Sequence, residues 1–489
     1  MEDPDDRLHL LLADAEDRRP VLEDGLPADA AQRGPRPTRA VRGDDAPRWR
    51  RTDADPNALP VQRWAVVAPE SVEGDRQLEA IAPLLRLRED EQGAPATVYR
   101  VPPGMDARQA VGWKDEVYWS EDVPEEERPL YLLMLGDLHQ TSVELQHALA
   151  NGALVGRLHF ADAEGGTDPA AYAAYAAKVV RFAREGTPDA APDLLFFVAR
   201  DGTPATLFGE AKLVAPGLLA AQQGRDAGRL PAASVREVEA ETVDELLAAG
   251  AGARPSVLLS VSHGLGAPPG GWRSKEEAWR RQGALVVGPN EVLDAERLRS
   301  QPFLPGGMWF FLACFSAGTP ATSAYHAWLS QLRQEGAYGK PAEAVLQSLP
   351  GPGQRPFLAA LPQAALANPA GPLAVIGHVD LAWAYSFSAM KKPSESRKSR
   401  LLSSVEVMVR GSRAGVALEA LARFYREAND ALMSRYELEA DARAEGRPDP
   451  TDRVERAHLW MLRNDLRGYV LLGDPAARLP LAQSAPPAR

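Results

Sequence analysis

Short runs of apolar residues, separated by polar turns, recur along the chain and predict the strands of a sheet. The clearest run covers residues 130–135, is apolar at consecutive positions and ends at Gly136. A strand of this kind is typical of a parallel sheet that is covered on both faces. Comparable strand-like runs begin near residues 66, 98, 154, 194, 257, 309, 373 and 469.

Two segments have helical periodicity. Asp168 and Pro169 open an Ala/Tyr-rich stretch with aromatic residues at helical spacing, and residues 416–432 place leucines on one stripe. The alternation of strands and helices predicts an α/β fold with three layers, a mostly parallel sheet flanked by helices. We expect two side-by-side α/β subdomains, an N-terminal one over 58–190 and a catalytic one over 191–480.

The two ends of the chain lack this pattern. Residues 1–57 are rich in Asp, Arg, Pro and Ala, with Trp49 as the only aromatic residue. This composition predicts a disordered or loosely docked tail, which is either a leader without function or an interaction or inhibitory segment. Residues 481–489 are expected to form a frayed tail.

Composition narrows the class of function. The 489 residues include 55 Lys and Arg against 67 Asp and Glu, a net charge of −12, which argues against electrostatic binding to nucleic acid or to an anionic membrane. No secretory signal or membrane-spanning run is recognisable, so we expect a cytoplasmic protein. The single cysteine excludes an intramolecular disulfide, a structural cysteine zinc site and an iron–sulfur cluster held by this chain.

The only cysteine and one histidine follow two of these strands in the same way. The run 257–261 is followed within two residues by His263, and the run 308–312 by Cys314. Ligands of open α/β sheets bind beyond the carboxyl ends of the strands. The two residues are 51 positions apart, enough for one crossover connection. We therefore expect both side chains at one edge of the sheet.

The residues around Cys314 favour a nucleophile over an inert buried thiol. Thr319 and Pro320 have the pattern of an N-cap followed by proline at the first helical position, which predicts a helix start near the thiol. A helix N-terminus would favour the reactive thiolate. His263 is suited to activate the thiol and to protonate a leaving amine, and the N–H groups of Gly264 and Cys314 to bind an oxyanion.

A His-Gly pair after one apolar strand and Ala-Cys after the next resembles the signature of the caspase-like (clan CD) cysteine peptidases. The sequence Leu312-Ala313-Cys314-Phe315-Ser316 departs from the Gln-Ala-Cys-Arg-Gly of caspases and is more similar to bacterial gingipain-like and CHAT-type peptidases. Further similarities within residues 130–480 are Leu135-Gly136-Asp137, Val155-Gly156-Arg157-Leu158, Ala374-Val375-Ile376-Gly377 with Trp383, and Gly473-Asp474-Pro475.

This resemblance implies a caspase-like fold and a cysteine endopeptidase that works through a Cys-His dyad and a thioester intermediate. It implies Cys314 as nucleophile, His263 as acid/base, the N–H groups of Gly264 and Cys314 as oxyanion hole, and Trp383 as a substrate-pocket candidate. Apart from the resemblance, the sequence lacks a G-x-G-x-x-G or P-loop motif, and no clustered ligands accompany Asp137 and His139, so we expect no cofactor and no metal. By the same analogy the partner is a protein or peptide substrate, such as a gasdermin-like pore-forming protein, with an upstream activator and a role in bacterial defence or signalling.

Several alternatives stay open. One alternative is that the site is catalytically inert and the chain is a pseudo-peptidase or interaction module. Another is that Ser316 is the nucleophile of an α/β serine hydrolase, although the first Gly of the G-x-S-x-G motif is missing. The family's specificity carboxylate is not identified: Asp201 and Glu210 lie in the expected stretch, but an ordinary solvated face explains both. The basic segment 391–400 is either a solvated loop or a mobile active-site or processing loop, open to self-cleavage if the enzyme prefers basic residues.

Overall fold

The computed structural model describes residues 7–33, 54–189, 191–336, 338–351, 353–384 and 398–482. The strands of these residues are, in chain order, β1 (Arg7–Leu8), β2 (Leu12–Asp14), β3 (Leu26–Pro27), β4 (Trp64–Pro69), β5 (Thr97–Val101), β6 (Tyr131–Leu135), β7 (Leu154–Leu158), β8 (Asp193–Val198), β9 (Ser234–Glu237), β10 (Ser256–Val261), β11 (Gly264–Gly266), β12 (Leu285–Gly288), β13 (Glu291–Leu293), β14 (Met308–Leu312), β15 (Gly318–Thr319), β16 (Phe357–Leu358), β17 (Ala374–His378) and β18 (Tyr469–Gly473).

The α-helices of the same residues are α1 (Leu59–Gln62), α2 (Val72–Ala80), α3 (Ala82–Gln92), α4 (Ala107–Trp113), α5 (Val143–Leu149), α6 (Pro169–Glu185), α7 (Pro204–Gly209), α8 (Ala215–Asp226), α9 (Val243–Gly250), α10 (Lys275–Arg281), α11 (Ala295–Arg299), α12 (His326–Arg333), α13 (Gly339–Gln347), α14 (Ala360–Ala367), α15 (Lys398–Val409), α16 (Ala414–Ala444) and α17 (Arg453–Arg467). Short 3-10 helices cover Ala28–Arg33 and Glu125–Glu127, and π-helical turns cover Lys114–Tyr118 and Glu210–Val214.

Ten strands form one continuous sheet in the order β5-β4-β6-β7-β18-β17-β14-β10-β8-β9. All neighbouring pairs are parallel except β17 and β18. The predicted α/β fold with a mostly parallel sheet between layers of helices is therefore confirmed. The sheet passes without a break from strands of the segment 58–190 to strands of the segment 191–480. The division into two subdomains at these boundaries stays a prediction.

Strands β6 and β14 are apolar at every position, and β10 at every position except Ser256 and Ser260, because both faces of the sheet are covered. On β14, Phe310 and Leu312 pack into one hydrophobic core, whereas Trp309 and Phe311 pack into the core on the other face. Cys314 continues the first set and belongs to the same core as Phe310 and Leu312. The strand thus fixes the face of the sheet to which the only cysteine belongs.

Both segments with helical periodicity form helices. The carboxylate of Asp168 caps α6 by accepting hydrogen bonds from the N–H groups of Ala170 and Ala171, as the Asp-Pro start predicts. The leucine stripe of residues 416–432 lies within α16, which is 31 residues long and buries Leu418, Leu421 and Leu432.

Residues 7–33 are not a loose tail, and the prediction for 1–57 was wrong for this part. Leu8, Leu10 and Leu12 are fully buried, β1 pairs with β3, and β2 pairs with β11. The composition of this segment does not reveal its order, because Leu11 and Leu12 are held by Ala382 and Gly264, which lie more than 200 positions away in the sequence. Residues 1–6, 34–53 and 483–489 of the two predicted tails lie outside the described residues.

Candidate active site

The ends of β10 and β14 bring the predicted pair to one edge of the sheet. The two strands are parallel neighbours, with Val261 opposite Leu312, and His263 and Cys314 follow two residues later on each strand. The predicted adjacency of the two strand ends is confirmed. Both side chains are enclosed, with 1% of His263 and none of Cys314 exposed.

The thiol of Cys314 faces the main chain of Ala382. The sulfur accepts a hydrogen bond from the Ala382 N–H at 3.1 Å and lies 3.5 Å from its carbonyl oxygen. Burial raises the pKa of Cys314 well above its ordinary value, and the nearby Asp380 and Asp465 carboxylates raise it further, although the hydrogen bond from Ala382 acts in the opposite direction. The thiol is therefore protonated in this state.

The predicted helix next to Cys314 is absent. Thr319 belongs to β15 and pairs with Phe357 of β16, and the next helix, α12, begins only at His326. The Thr-Pro pattern of an N-cap is outweighed here by the backbone pairing of Thr319. No helix terminus among the described residues at this turn lowers the pKa of the thiol.

His263 lies against a third strand end that sequence reasoning missed as part of the site. Its Nε2 atom is 2.8 Å from the Thr203 hydroxyl oxygen and 3.6 Å from a carboxylate oxygen of Asp201. Asp201 follows β8, which pairs with β10 so that Val198 is opposite Val261. The signal was present in the sequence, because Asp201 stands a few residues beyond a buried strand, as His263 and Cys314 do.

Asp201 is a buried carboxylate rather than part of a solvated face. Its side chain is 6% exposed, and one oxygen accepts hydrogen bonds from the Thr206 hydroxyl at 2.6 Å and from the Thr203 N–H at 3.1 Å. Burial lowers the pKa of His263, and the charge of Asp201 acts in the opposite direction. Nδ1 of His263 has no hydrogen-bond partner among the described residues and remains available for a proton from elsewhere.

The two predicted oxyanion donors converge on one peptide carbonyl. The N–H of Gly264 donates to the oxygen of Leu11 at 3.1 Å, and the N–H of Cys314 donates to the same oxygen at 3.0 Å. Residue 264 must be glycine for this approach, since a Cβ there would lie 1.9 Å from the carbonyl oxygen of Cys314. The edge therefore binds a peptide carbonyl directly beside the only thiol.

Trp383 lies one residue beyond Ala382, at the border of this groove. Its N–H donates to the carboxylate of Asp465 at 2.8 Å, and its fully buried indole packs against the rings of Tyr325 and Trp328. The indole N–H has no partner among the described residues. The main chain of Trp383 forms an antiparallel bridge with Leu10, so its backbone, rather than its ring, is seen to hold a peptide.

The remaining sequence candidates lie elsewhere. The Ser316 hydroxyl donates to the Phe311 carbonyl at 2.9 Å and accepts from the His378 N–H at 2.8 Å, so this serine stabilises the turn. The ring nitrogens of His378 contact the carbonyls of Asp380 and Asp465. Glu210 begins a π-helical turn. Most of the basic segment 391–400 lies outside the described residues, and only its end belongs to α15.

The described residues contain neither a candidate metal site nor a candidate membrane span. No group of three or more His, Cys, Asp or Glu side chains there is arranged to hold a metal ion. Within the same ranges, no helix combines the length and the apolar character needed to span a membrane.

Comparisons with known proteins find similarity to solved structures at low sequence identity. No family model and no curated protein matches the sequence. A crystal structure of the Arg-specific cysteine proteinase gingipain R is similar with a TM-score of 0.47 and 13% identity, covering 86% of this chain and 78% of that chain. A complex of the RgpB pro- and mature domains from Porphyromonas gingivalis has a TM-score of 0.46 and 13% identity, covering 85% and 79%. A structure titled only as a protease has a TM-score of 0.46 and 12% identity, covering 86% of this chain and 78% of that chain. No site residue is assigned from this similarity.

Proposed function

We propose that the chain is a cysteine endopeptidase of the caspase-like type. The observation that supports it best is the pair of N–H groups, from Gly264 and Cys314, that converge on one peptide carbonyl next to the only thiol. Such donors stabilise the oxyanion of an acyl-transfer reaction, and a carbonyl held by them is placed for attack.

Each group has a role in this mechanism. The sulfur of Cys314 attacks the carbonyl carbon after its proton passes to His263, and the carbonyl oxygen takes the negative charge. His263 then gives the proton to the leaving amine, and a thioester remains on Cys314. Water, deprotonated by His263, hydrolyses the thioester and regenerates the thiol. Asp201 and Thr203 act as positioning residues that orient the imidazole through Nε2 and leave Nδ1 for proton transfer.

The electrostatics of the closed site are compatible with a latent form of the proposed enzyme. Burial raises the pKa of Cys314 and lowers that of His263, so the dyad is uncharged while the groove is filled. A thiol in this state requires His263 as a general base at the moment of attack. The proposal therefore does not depend on a preformed thiolate–imidazolium pair.

The cellular setting belongs to the proposal as well. A cytoplasmic protease that acts on a partner protein, such as a gasdermin-like pore former in bacterial defence or signalling, is supported only by the resemblance of the His-Gly and Ala-Cys motifs. Membership of the gingipain-like or the CHAT-type branch rests on the same motifs.

An inert pseudo-peptidase is the second candidate, favoured by the complete burial of Cys314. An acyloxymethyl-ketone probe separates the two, because only an active nucleophile with an oxyanion hole reacts with it quickly. An inert site predicts no labelling of native protein, even after the groove has been opened.

The decisive experiment offers a peptide library to the full chain and to Cys314→Ala. Because Leu11 fills the oxyanion hole, both chains also carry Leu10→Asp, in which a carboxylate that is costly to bury displaces the segment. Removal of the nucleophile should lower kcat/KM by at least about a thousandfold. Thermal melting of both chains controls for folding, and hydrolysis that survives Cys314→Ala unchanged would remove the proposal.

A further inference from the structure

The N-terminal segment lies across the candidate active site like a bound peptide. The N–H of Leu11 donates to the Ala382 carbonyl at 3.1 Å, and the N–H of Ala384 donates to the His9 carbonyl at 2.9 Å. Together with the bridge between Leu10 and Trp383, these bonds make residues 9–11 an antiparallel strand on residues 382–384. This is the way in which an extended peptide adds to the edge of a binding strand.

The same segment continues on the other side of the catalytic atoms. Strand β2 pairs in parallel with β11, with Leu12 opposite Gly264. The peptide bond between Leu11 and Leu12 therefore lies between two bound halves, and its carbonyl oxygen is the one held by Gly264 and Cys314. A substrate in the act of cleavage would place its scissile bond here.

We infer that residues 9–14 are an internal substrate mimic, with Leu11–Leu12 at the position of the scissile bond, and that they keep the enzyme latent until they are displaced. This inference deepens the proposed function and rests on it, because only a peptidase has a scissile position to mimic. The segment occupies the groove in the register in which a protein substrate would bind.

The segment is tied down on both sides of the Leu11–Leu12 bond. Upstream, Arg7 pairs with Pro27 and Leu8 with Leu26, and the Arg7 guanidinium donates to the Gly25 carbonyl at 3.1 Å. Such closure of a loop makes it behave as a rigid inhibitor, since little conformational freedom remains to be lost on binding. Hydrolysis at Leu11–Leu12 would leave both new ends held in place.

The downstream side is tied to the body of the molecule. The Asp14 carboxylate accepts from the N–H groups of Glu16 and Asp17 and turns the chain back. The 3-10 helix Ala28–Arg33 follows, and its Ala30 carbonyl accepts a hydrogen bond from the Trp328 indole N–H at 2.8 Å. An intramolecular occupant held in this way has an effective concentration of about a millimolar, which a free substrate must overcome.

Access to the only cysteine tests this inference without any substrate. We expect Leu10→Asp to raise the rate of iodoacetamide labelling of folded full-length chain by about tenfold or more over wild type, because a buried unpaired carboxylate is expelled into water. Intact-mass measurement counts the label, and only Cys314 can carry it. Leu349→Asp introduces the same charge at another buried leucine, 8% exposed, and should leave the labelling rate near that of wild type.

A synthetic peptide with the sequence of residues 7–14, Arg-Leu-His-Leu-Leu-Leu-Ala-Asp, should slow labelling of the Leu10→Asp chain, and a scrambled peptide should not.

If Leu10→Asp does not fold, Arg7→Ala opens the loop without burying a charge and should raise the labelling rate of Cys314 by a smaller factor. Equal labelling rates in wild type and in a folded segment variant would overturn the inference, as would a spontaneous nick within residues 7–27 at a bond other than Leu11–Leu12. Faster labelling of Cys314 without peptide hydrolysis would support the conclusion that the segment covers the thiol but would reject the peptidase function.

Discussion

Two regions of opposite character meet at the groove. The proposed catalytic side is the edge of a ten-stranded sheet, where β10 and β14 are covered on both faces and fix the backbone of His263, Gly264 and Cys314. The occupant, residues 7–14, contributes two short strands. Strand β1 pairs with β3 of the same N-terminal segment, and β2 pairs with β11 at the groove. The difference indicates that the sheet holds the proposed catalytic groups, whereas the segment that covers them is held by short pairings outside the ten-stranded sheet.

The largest effect on the rigid side is expected from Gly264→Ala. The added Cβ would lie 1.9 Å from the Cys314 carbonyl oxygen, so the strand ends must separate and the N–H of residue 264 must move away from the bound carbonyl. We expect kcat on peptides to fall about a hundredfold in a Leu10→Asp background. In Gly252→Ala the new Cβ meets no atom within 4 Å, and this control should keep full activity. An unchanged kcat in Gly264→Ala would contradict the position of the oxyanion hole.

A smaller effect is expected from Asp201→Asn. The carboxylate of Asp201 raises the pKa of His263, so the amide should lower it. Since neutral His263 accepts the thiol proton, activity is lost as pH falls through this pKa, and the acid limb of the kcat/KM profile should move to lower pH. We also expect kcat to fall about tenfold because the imidazole is less well oriented.

Glu210→Gln is the matched control for this change. It removes a carboxylate from the same stretch of sequence but from a π-helical turn, and it should leave the pH profile where it was. An acid limb in Asp201→Asn that stays in place, or that moves to higher pH, would reject the role given to Asp201.

The sheet and the dyad were open to prediction because one rule governs both. Strands covered on two faces are almost wholly apolar, so β6, β10 and β14 can be recognised in the sequence without knowledge of their partners. The residues that follow such strands share an edge, which places His263 beside Cys314. The rule also applied to Asp201, but spacing alone does not tell which polar residue beyond β8 turns inward.

The N-terminal segment was beyond prediction for the opposite reason. Its three consecutive leucines, Leu10 to Leu12, are too few to define a period, and the surrounding Asp, Arg and Pro are typical of disorder. The order of these residues comes from Gly264 and Ala382, which are distant in sequence. The prediction of a helix after Thr319 was wrong for a similar reason, because the pairing of Thr319 with Phe357 decides the local structure.

The smallest expected effect tests how firmly the N-terminal segment is anchored. The Tyr338 hydroxyl donates to the Asp29 carboxylate at 2.9 Å and ties the 3-10 helix Ala28–Arg33 to the segment that begins α13. Tyr338→Phe removes one partly exposed hydrogen bond, so iodoacetamide labelling of Cys314 should become about threefold faster or less. Asp29→Asn weakens the same bond, and the double variant should be no faster than the faster single variant if this bond is the link. Additive effects of the two changes would show that each residue restrains the segment by a separate route. A labelling rate in Tyr338→Phe as high as that in Leu10→Asp would show that this hydrogen bond, rather than the pairing inside the groove, keeps the segment in place.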